Sequence, residues 1–247
     1  MSDKRASRQV KIFADGADIP SMLEAADDPV ISGLTTNPTL MKAAGIEDYE
    51  SFAHEVLSKI SDKPISFEVF ADDIAEMGLQ AREIASWGQN VYVKIPVTNT
   101  RGDSTASLCG ELSAQGVKVN VTAVFTIPQI ENLLDCLSPD TPAVVSVFAG
   151  RIADAGIDPV PVMARAKQML TRHPKAELLW ASPREVLNVI QAEQCGCDII
   201  TMTNDLIAKL KSIGKDLDEF SLDTVKMFYN DATAAGYSID VRSSDAA

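Results

Sequence analysis

Apolar positions along this chain fall into two alternating rhythms. Short runs rich in Val, Ile, Leu and Phe lie at Val10–Asp15, Val30–Gly33, Pro64–Phe70, Asn90–Pro96, Val117–Thr122, Ala143–Phe148, Glu177–Ser182 and Asp198–Met202, and each predicts a strand. Runs such as Val144-Val145-Ser146-Val147-Phe148 are apolar on both faces, the pattern of parallel strands covered by helices. Between them stand amphipathic or alanine-rich stretches, among them Ile74–Trp87, Ser104–Gln115, Pro159–Arg172 and Arg184–Cys195. Gly88, Gly116 and Gly196 stand where helix C-terminal caps are expected. Strand starts lie roughly 20 to 34 residues apart, enough for a strand, a helix and two short connections.

Eight such units predict an α/β chain folded as a single (β/α)8 TIM barrel spanning residues 1–247. An open doubly wound sheet has the same rhythm and is the alternative. Residues 1–9 read as a polar N-terminal tail. A helical segment from about Ser221 to Ala235 follows the eighth unit, so that about 221–247 reads as an extra C-terminal helix and tail.

Composition narrows the partners. With 46% apolar and 23% charged residues, the chain has material for a sizeable core. Its 22 Lys and Arg against 35 Asp and Glu give a net charge of −13, a field that repels nucleic acid and anionic membranes, so neither is an expected partner. An anionic substrate would need locally placed arginines to overcome that field. The polar start lacks a secretory apolar segment and no run is long enough to span a bilayer, which makes the cytoplasm the expected location. The four cysteines, Cys109, Cys136, Cys195 and Cys197, have the wrong spacing for a zinc site and read as reduced, mostly buried thiols. With two histidines, His54 and His173, and no glycine-rich nucleotide loop, no metal and no cofactor is expected.

In a barrel of this kind chemistry gathers at the C-terminal strand ends. Those ends carry Asp15, Asn37, Glu68, Lys94, Thr122, Ser146 and Ser182, with Arg151 on the turn after strand six. Any one of them could serve solubility alone; the whole set points to a site. Lys94 is the strongest member. Alternation in Val91-Tyr92-Val93-Lys94-Ile95-Pro96 puts it on the face opposite Val91 and Val93. If those valines meet the helices, the amine points into the barrel, where poor solvation of its charged form favours attack on a carbonyl. The competing reading is a lysine that snorkels to the rim. Asp15 and Glu68 could supply proton transfer, one of them through a water held by Thr122. Asp18 reads instead as the cap of the first helix.

Ser182-Pro183-Arg184-Glu185 has two readings. As structure it is a capping box with Pro183 at the first helical position. As function it is a helix N-terminus after strand seven that adds Arg184 to Arg151, enough for one phosphate dianion.

These residues resemble a known family. Gly33-Leu34-Thr35-Thr36-Asn37-Pro38-Thr39-Leu40 and Val93-Lys94-Ile95-Pro96-Val97-Thr98 look like the two most specific transaldolase segments. The similarity continues in order through Phe13-Ala14-Asp15, Phe67-Glu68-Val69, Asn120-Val121-Thr122, Ser146-Val147-Phe148-Ala149-Gly150-Arg151 and Ala181-Ser182-Pro183-Arg184. The resemblance implies a Schiff base on Lys94 and Asp15 as acid/base at the hydroxyl whose deprotonation cleaves the carbon–carbon bond. It implies that Glu68 and Thr122 hold a relay water, that Asn37 and Ser146, with Asn120 beside them, bind the donor sugar, and that Arg151, Ser182 and Arg184 take its phosphate. The implied reaction moves a dihydroxyacetone unit from sedoheptulose 7-phosphate or fructose 6-phosphate to an aldose phosphate, without metal or organic cofactor. Small relatives include fructose 6-phosphate aldolases, which release dihydroxyacetone and typically carry Gln in place of Glu68 and Tyr in place of Phe148; both positions here side with transfer. Val147 and Pro183 depart from the family pattern, where a proline and an aromatic residue are expected. A homo-oligomer is implied, from dimer to decamer.

Overall fold

A computed structural model of the protein describes residues 8–240. Its strands are β1 (Lys11–Asp15), β2 (Ile31–Thr35), β3 (Ile65–Glu68), β4 (Val91–Pro96), β5 (Val119–Val124), β6 (Ala143–Val147), β7 (Ala176–Trp180) and β8 (Ile199–Met202). They pair in sequence order and close, because β1 runs parallel to β8 from Lys11 opposite Ile199 to Ala14 opposite Met202. That pairing makes the sheet a (β/α)8 barrel and removes the open sheet as an alternative. The intervening helices are α1 (Ile19–Asp27), α2 (Pro38–Ala43), α3 (Tyr49–Lys59), α4 (Ile74–Ser86), α5 (Ala106–Ala114), α6 (Ile127–Cys136), α7 (Ala149–Asp154), α8 (Val160–Leu170), α9 (Leu187–Gln194) and α10 (Asn204–Lys209).

The two rhythms of the sequence become two sides of one wall. Val91, Val93 and Ile95 of β4 are buried, as are Met77, Ala81 and Ile84 on one face of α4, a three- and four-residue spacing that suits a helix packed on a sheet. The alternate side of the strands faces the barrel axis. There Phe13, Val144, Leu179, Ala181 and Ile199 form an apolar plug with Tyr92 and Phe148 against it. The Phe13 ring lies over Gly33, where a Cβ would come within 2.5 Å of the ring. The plug closes the middle of the barrel and leaves the C-terminal strand ends as the floor of an open mouth.

Boundaries differ from expectation where tertiary contacts intervene. β2 runs on to Thr35 because it still pairs with β1 and β3 there. β6 stops at Val147, and Phe148 precedes α7. β7 stops at Trp180, and Ser182 turns into the left-handed region at φ 60°. Gly116 and Gly196 do take the left-handed cap conformation, at φ 86° and 72°, but Gly88 does not. Asp18 caps α1, accepting a hydrogen bond from Ser21 N.

The described chain divides into two compact units, one reaching to Leu210 with the whole barrel and one beginning at Lys211. The second holds α11 (Leu217–Ala234), which starts four residues ahead of the expected Ser221 because Asp216 accepts from the amides of Asp218 and Glu219. α11 buries none of its side chains. Of the expected N-terminal tail, residues 1–7 lie outside the described residues, whereas Arg8 pairs with Glu193 at 3.0 Å. No helix among the described residues is long and apolar enough to cross a membrane.

Candidate active site

A cavity of about 550 Å³ opens at the C-terminal end of the barrel. Asp15, Asn37, Glu68, Lys94, Asn120, Thr122, Ser146, Phe148, Arg151, Ser182 and Arg184 all line it. Residues more than 150 positions apart in the chain thus share one space, each delivered by a strand end or the turn after it.

Lys94 points inward. Its side chain is 10% exposed, with Nζ 3.2 Å from Glu68 Oε2 and donating to the Thr36 carbonyl at 3.0 Å. The amine is paired as well as buried, which the alternation of β4 alone does not indicate. Register explains the closeness, since Glu68 stands directly opposite Lys94 in the β3–β4 ladder. The side chain does not snorkel.

Asp15 accepts from Thr35 Oγ1 at 2.8 Å and faces the Asn37 amide at 3.3 Å. Burial pushes its carboxyl above the usual carboxylate range, and the charge of Lys94 and these two hydrogen bonds only partly oppose that. A carboxyl so placed is suited to carry and return a proton nearer neutrality than a surface aspartate. Thr35 Oγ1 also stands 2.5 Å from Thr201 Oγ1, which ties the acid to β8.

Asn120, opposite Lys94 in the β4–β5 ladder, forms a chain with Ser146: Ser146 Oγ donates to Asn120 Oδ1 at 2.6 Å, and Asn120 Nδ2 donates to Ser66 Oγ at 2.9 Å. Asn37 is partly committed to structure, with Oδ1 capping α2 through Leu40 N. The Thr122 hydroxyl is buried without a hydrogen-bond partner among the described residues. Next to it Ala123 is left-handed at φ 55°, where the β5–β6 register slips. Ala123 and Ser182 are the two non-glycine residues with positive φ among those described, and both line the cavity. Strain of this kind concentrates where function holds it.

At the opposite rim, Gly150 lies so close to the Ser182 carbonyl that any Cβ would collide with it. This close approach sets the turn before Arg151 against the turn before Arg184, and both arginines line the cavity. The Arg151 guanidinium stacks on the Phe148 ring at 5.4 Å, and the Phe148 ring lies 5.7 Å from Phe125. Arg184 pairs in bidentate fashion with Asp154, with Nε 2.9 Å from Oδ1, and its Nη1 donates to Ser182 Oγ at 3.0 Å. The expected capping box is absent. Instead Asn188 Oδ1 reaches back to the amides of Arg184 and Glu185, and α9 begins only at Leu187. Left-handed Ser182 aims its hydroxyl at Arg184 rather than at a helix amide.

Among the participants not singled out from the sequence are Thr35, Ser66, Thr201 and Asp154. Thr35, Ser66 and Thr201 lie two residues from inward-facing positions on their own strands, so period-two counting from Gly33, Glu68 and Ile199 could have found them. Asp154 has no such signal, being a helix residue that meets Arg184 only in space.

A family model described as transaldolase/fructose-6-phosphate aldolase matches residues 12–241. The chain belongs to this family. A "Probable transaldolase" from Dehalococcoides mccartyi is 35% identical over 202 residues, covering 81% of this chain and 90% of that protein. "Probable transaldolase 2" from Listeria monocytogenes is 33% identical over 204 residues, covering 82% and 89%. Among solved structures, KGPDC from Streptococcus mutans in complex with D-R5P superposes with a TM-score of 0.52 at 11% identity over 78% of this chain and 88% of that one; the likeness is one of barrel fold. The transaldolase-family assignment fits a mouth that gathers one amine, two carboxyls and two arginines.

Proposed function

We propose that the protein is a transaldolase that carries a dihydroxyacetone unit on Lys94. The observation that carries the reading is the paired, inward-facing amine of Lys94, 3.2 Å from Glu68 and in the cavity that Asp15 also lines. Glu68 takes a proton from the ammonium, and the neutral amine adds to the C2 carbonyl of a ketose phosphate. Loss of water from the carbinolamine leaves the protonated Schiff base, with protons passed between Glu68, a water and the Thr122 hydroxyl. Asp15 then removes the proton of the C4 hydroxyl, the C3–C4 bond breaks, an aldose phosphate departs, and the bonding electrons remain on Lys94 as an enamine. An acceptor aldose phosphate reverses these steps.

Ser146 and Asn37 contact donor hydroxyls, with Asn120 holding Ser146, while Arg151, Arg184 and Ser182 hold the phosphate. For that, Arg184 exchanges some of its hydrogen bonds with Asp154 for phosphate oxygens. Phe148 offers no hydroxyl to protonate the enamine, which favours transfer over release of dihydroxyacetone. The free thiols suit a reducing cytoplasm. The exposed Leu217, Phe220, Leu222, Val225, Met227 and Phe228 of α11 suit a homo-oligomer.

Borohydride reduction in the presence of fructose 6-phosphate is expected to add a three-carbon unit to the Lys94 peptide. An active protein whose Lys94 stays unmodified overturns the mechanism. Erythrose 4-phosphate separates transfer from cleavage: a transferase turns over mainly when it is supplied, whereas an aldolase liberates dihydroxyacetone without it.

A further inference from the structure

Glu68 ends a strand that has lost its neighbour on one side. β3 pairs with β2 only at Ile65 and Ser66, and the last bonds across that edge run from Thr36 to the Ser66 carbonyl. Beyond them the chain turns at Asn37 into α2. On the other edge Val69 N donates to the Lys94 carbonyl, so by the alternation of a strand the amide and carbonyl of Glu68 face the edge that β2 has vacated. One atom fills the gap. The Tyr49 hydroxyl accepts from Glu68 N at 2.7 Å and donates to Glu68 O at 3.1 Å.

We infer that Tyr49 is a positioning residue for the reaction, holding the backbone of Glu68 in place of the missing strand so that the carboxylate meets Lys94. Tyr49 is the first residue of α3, whose start is fixed by Asp48 accepting from Ser51 N. Its ring meets Phe70, Trp87 and Phe67 edge-on, at centroid distances of 4.6, 5.7 and 6.2 Å. Burial pushes the phenol's pKa up, so the group stays protonated and can donate and accept at once. The ring is anchored from outside the barrel and acts on the inside through main-chain atoms, which distinguishes it from the groups that touch substrate.

This inference rests on the proposed role of Glu68 beside Lys94, and the test separates the two. Tyr49→Phe removes the hydroxyl and keeps the aromatic packing. Its kcat is expected to fall about tenfold with KM within about twofold, since misplacement of a proton-transfer group acts on the chemical steps. The rate of borohydride trapping at Lys94 falls in parallel, and the pH–rate profile shifts. Phe70→Leu is the control: it disturbs the same aromatic cluster, retains the hydroxyl, and is expected to lower Tm while leaving kcat and the pH profile unchanged. A Tyr49→Phe protein with lowered Tm but wild-type kcat, trapping rate and pH profile overturns the inference and leaves the Schiff-base reading intact. Equal kcat losses in both variants reduce Tyr49 to packing. If the active wild-type protein does not trap at all, the reading of Lys94 falls and the inference with it.

Discussion

The floor of the cavity and its rim are built differently. On the floor, Lys94 and Glu68 project from adjacent strands, are 10% and 14% exposed, and are opposed by ladder register. On the rim, Arg184 and Asp154 come from a turn and a helix, are 45% and 51% exposed, and meet as a surface ion pair. A buried pair feels little screening, and a small displacement changes its energy strongly; an exposed pair is screened and contributes little. The floor therefore suits bond making, which needs fixed geometry, and the rim suits capture of a charged group that must arrive and leave.

The largest effects are expected on the floor. Lys94→Met is expected to lower kcat by about 10⁴-fold or more while sugar phosphate still binds, as measured by single turnover and calorimetry; appreciable residual turnover would move the nucleophile elsewhere. Next comes Asp15→Asn, with a kcat loss of about 10²- to 10⁴-fold. Because burial raises the Asp15 pKa in the folded protein, wild-type activity that needs the ionised base declines with falling pH above the usual carboxylate range, and the variant lacks this limb. The same shift has a sign for stability. A raised folded pKa means that this group's contribution is full below the unfolded value and is lost as pH rises through the folded one. Asp15→Asn is thus expected to be more stable than wild type at neutral pH and no more stable at strongly acid pH, by urea denaturation at both.

The rim responds in KM. Replacing Arg151 or Arg184 by Ala is expected to raise KM for phosphorylated substrates about tenfold to a hundredfold, the worth of a charge-assisted hydrogen bond, with free sugars nearly unaffected; equal effects on both substrate types would refute the phosphate assignment. The smallest change sharpens the contrast. Asp154→Asn frees the Arg184 fork at an exposed site and is expected to lower KM for phosphorylated substrates about two- to fivefold with kcat unchanged, whereas an increase would mean that Asp154 orients Arg184 for its ligand.

Legibility in the sequence follows the same division. Floor residues sit on strands, where period-two alternation states which way a side chain points; it puts Lys94 on the face opposite Val91 and Val93, and Lys94 lines the cavity with the strand-end carboxylates Glu68 and Asp15. An expected end of β2 at Gly33 stops the alternation short of Thr35, which pairs with Asp15 and Ser66 in the ladders. Rim residues sit on turns, where no period applies. Ser182-Pro183-Arg184-Glu185 has the local chemistry of a capping box, yet Asn188 takes those amides and Ser182 goes left-handed beneath Gly150. Local preference was overruled there by a close approach between turns about 30 residues apart.

By itself the sequence determined the alternation of eight strands and helices, the face of β4 that carries Lys94, and the family. Both rhythms are short-range, set by backbone geometry and by which side chains leave water. The tertiary structure alone decided that β1 meets β8, that Glu68 stands opposite Lys94, that Tyr49 takes the place of a departing strand, and that Asp154 occupies Arg184. Those are partnerships between distant segments, and only closing the barrel brings such segments within hydrogen-bonding distance.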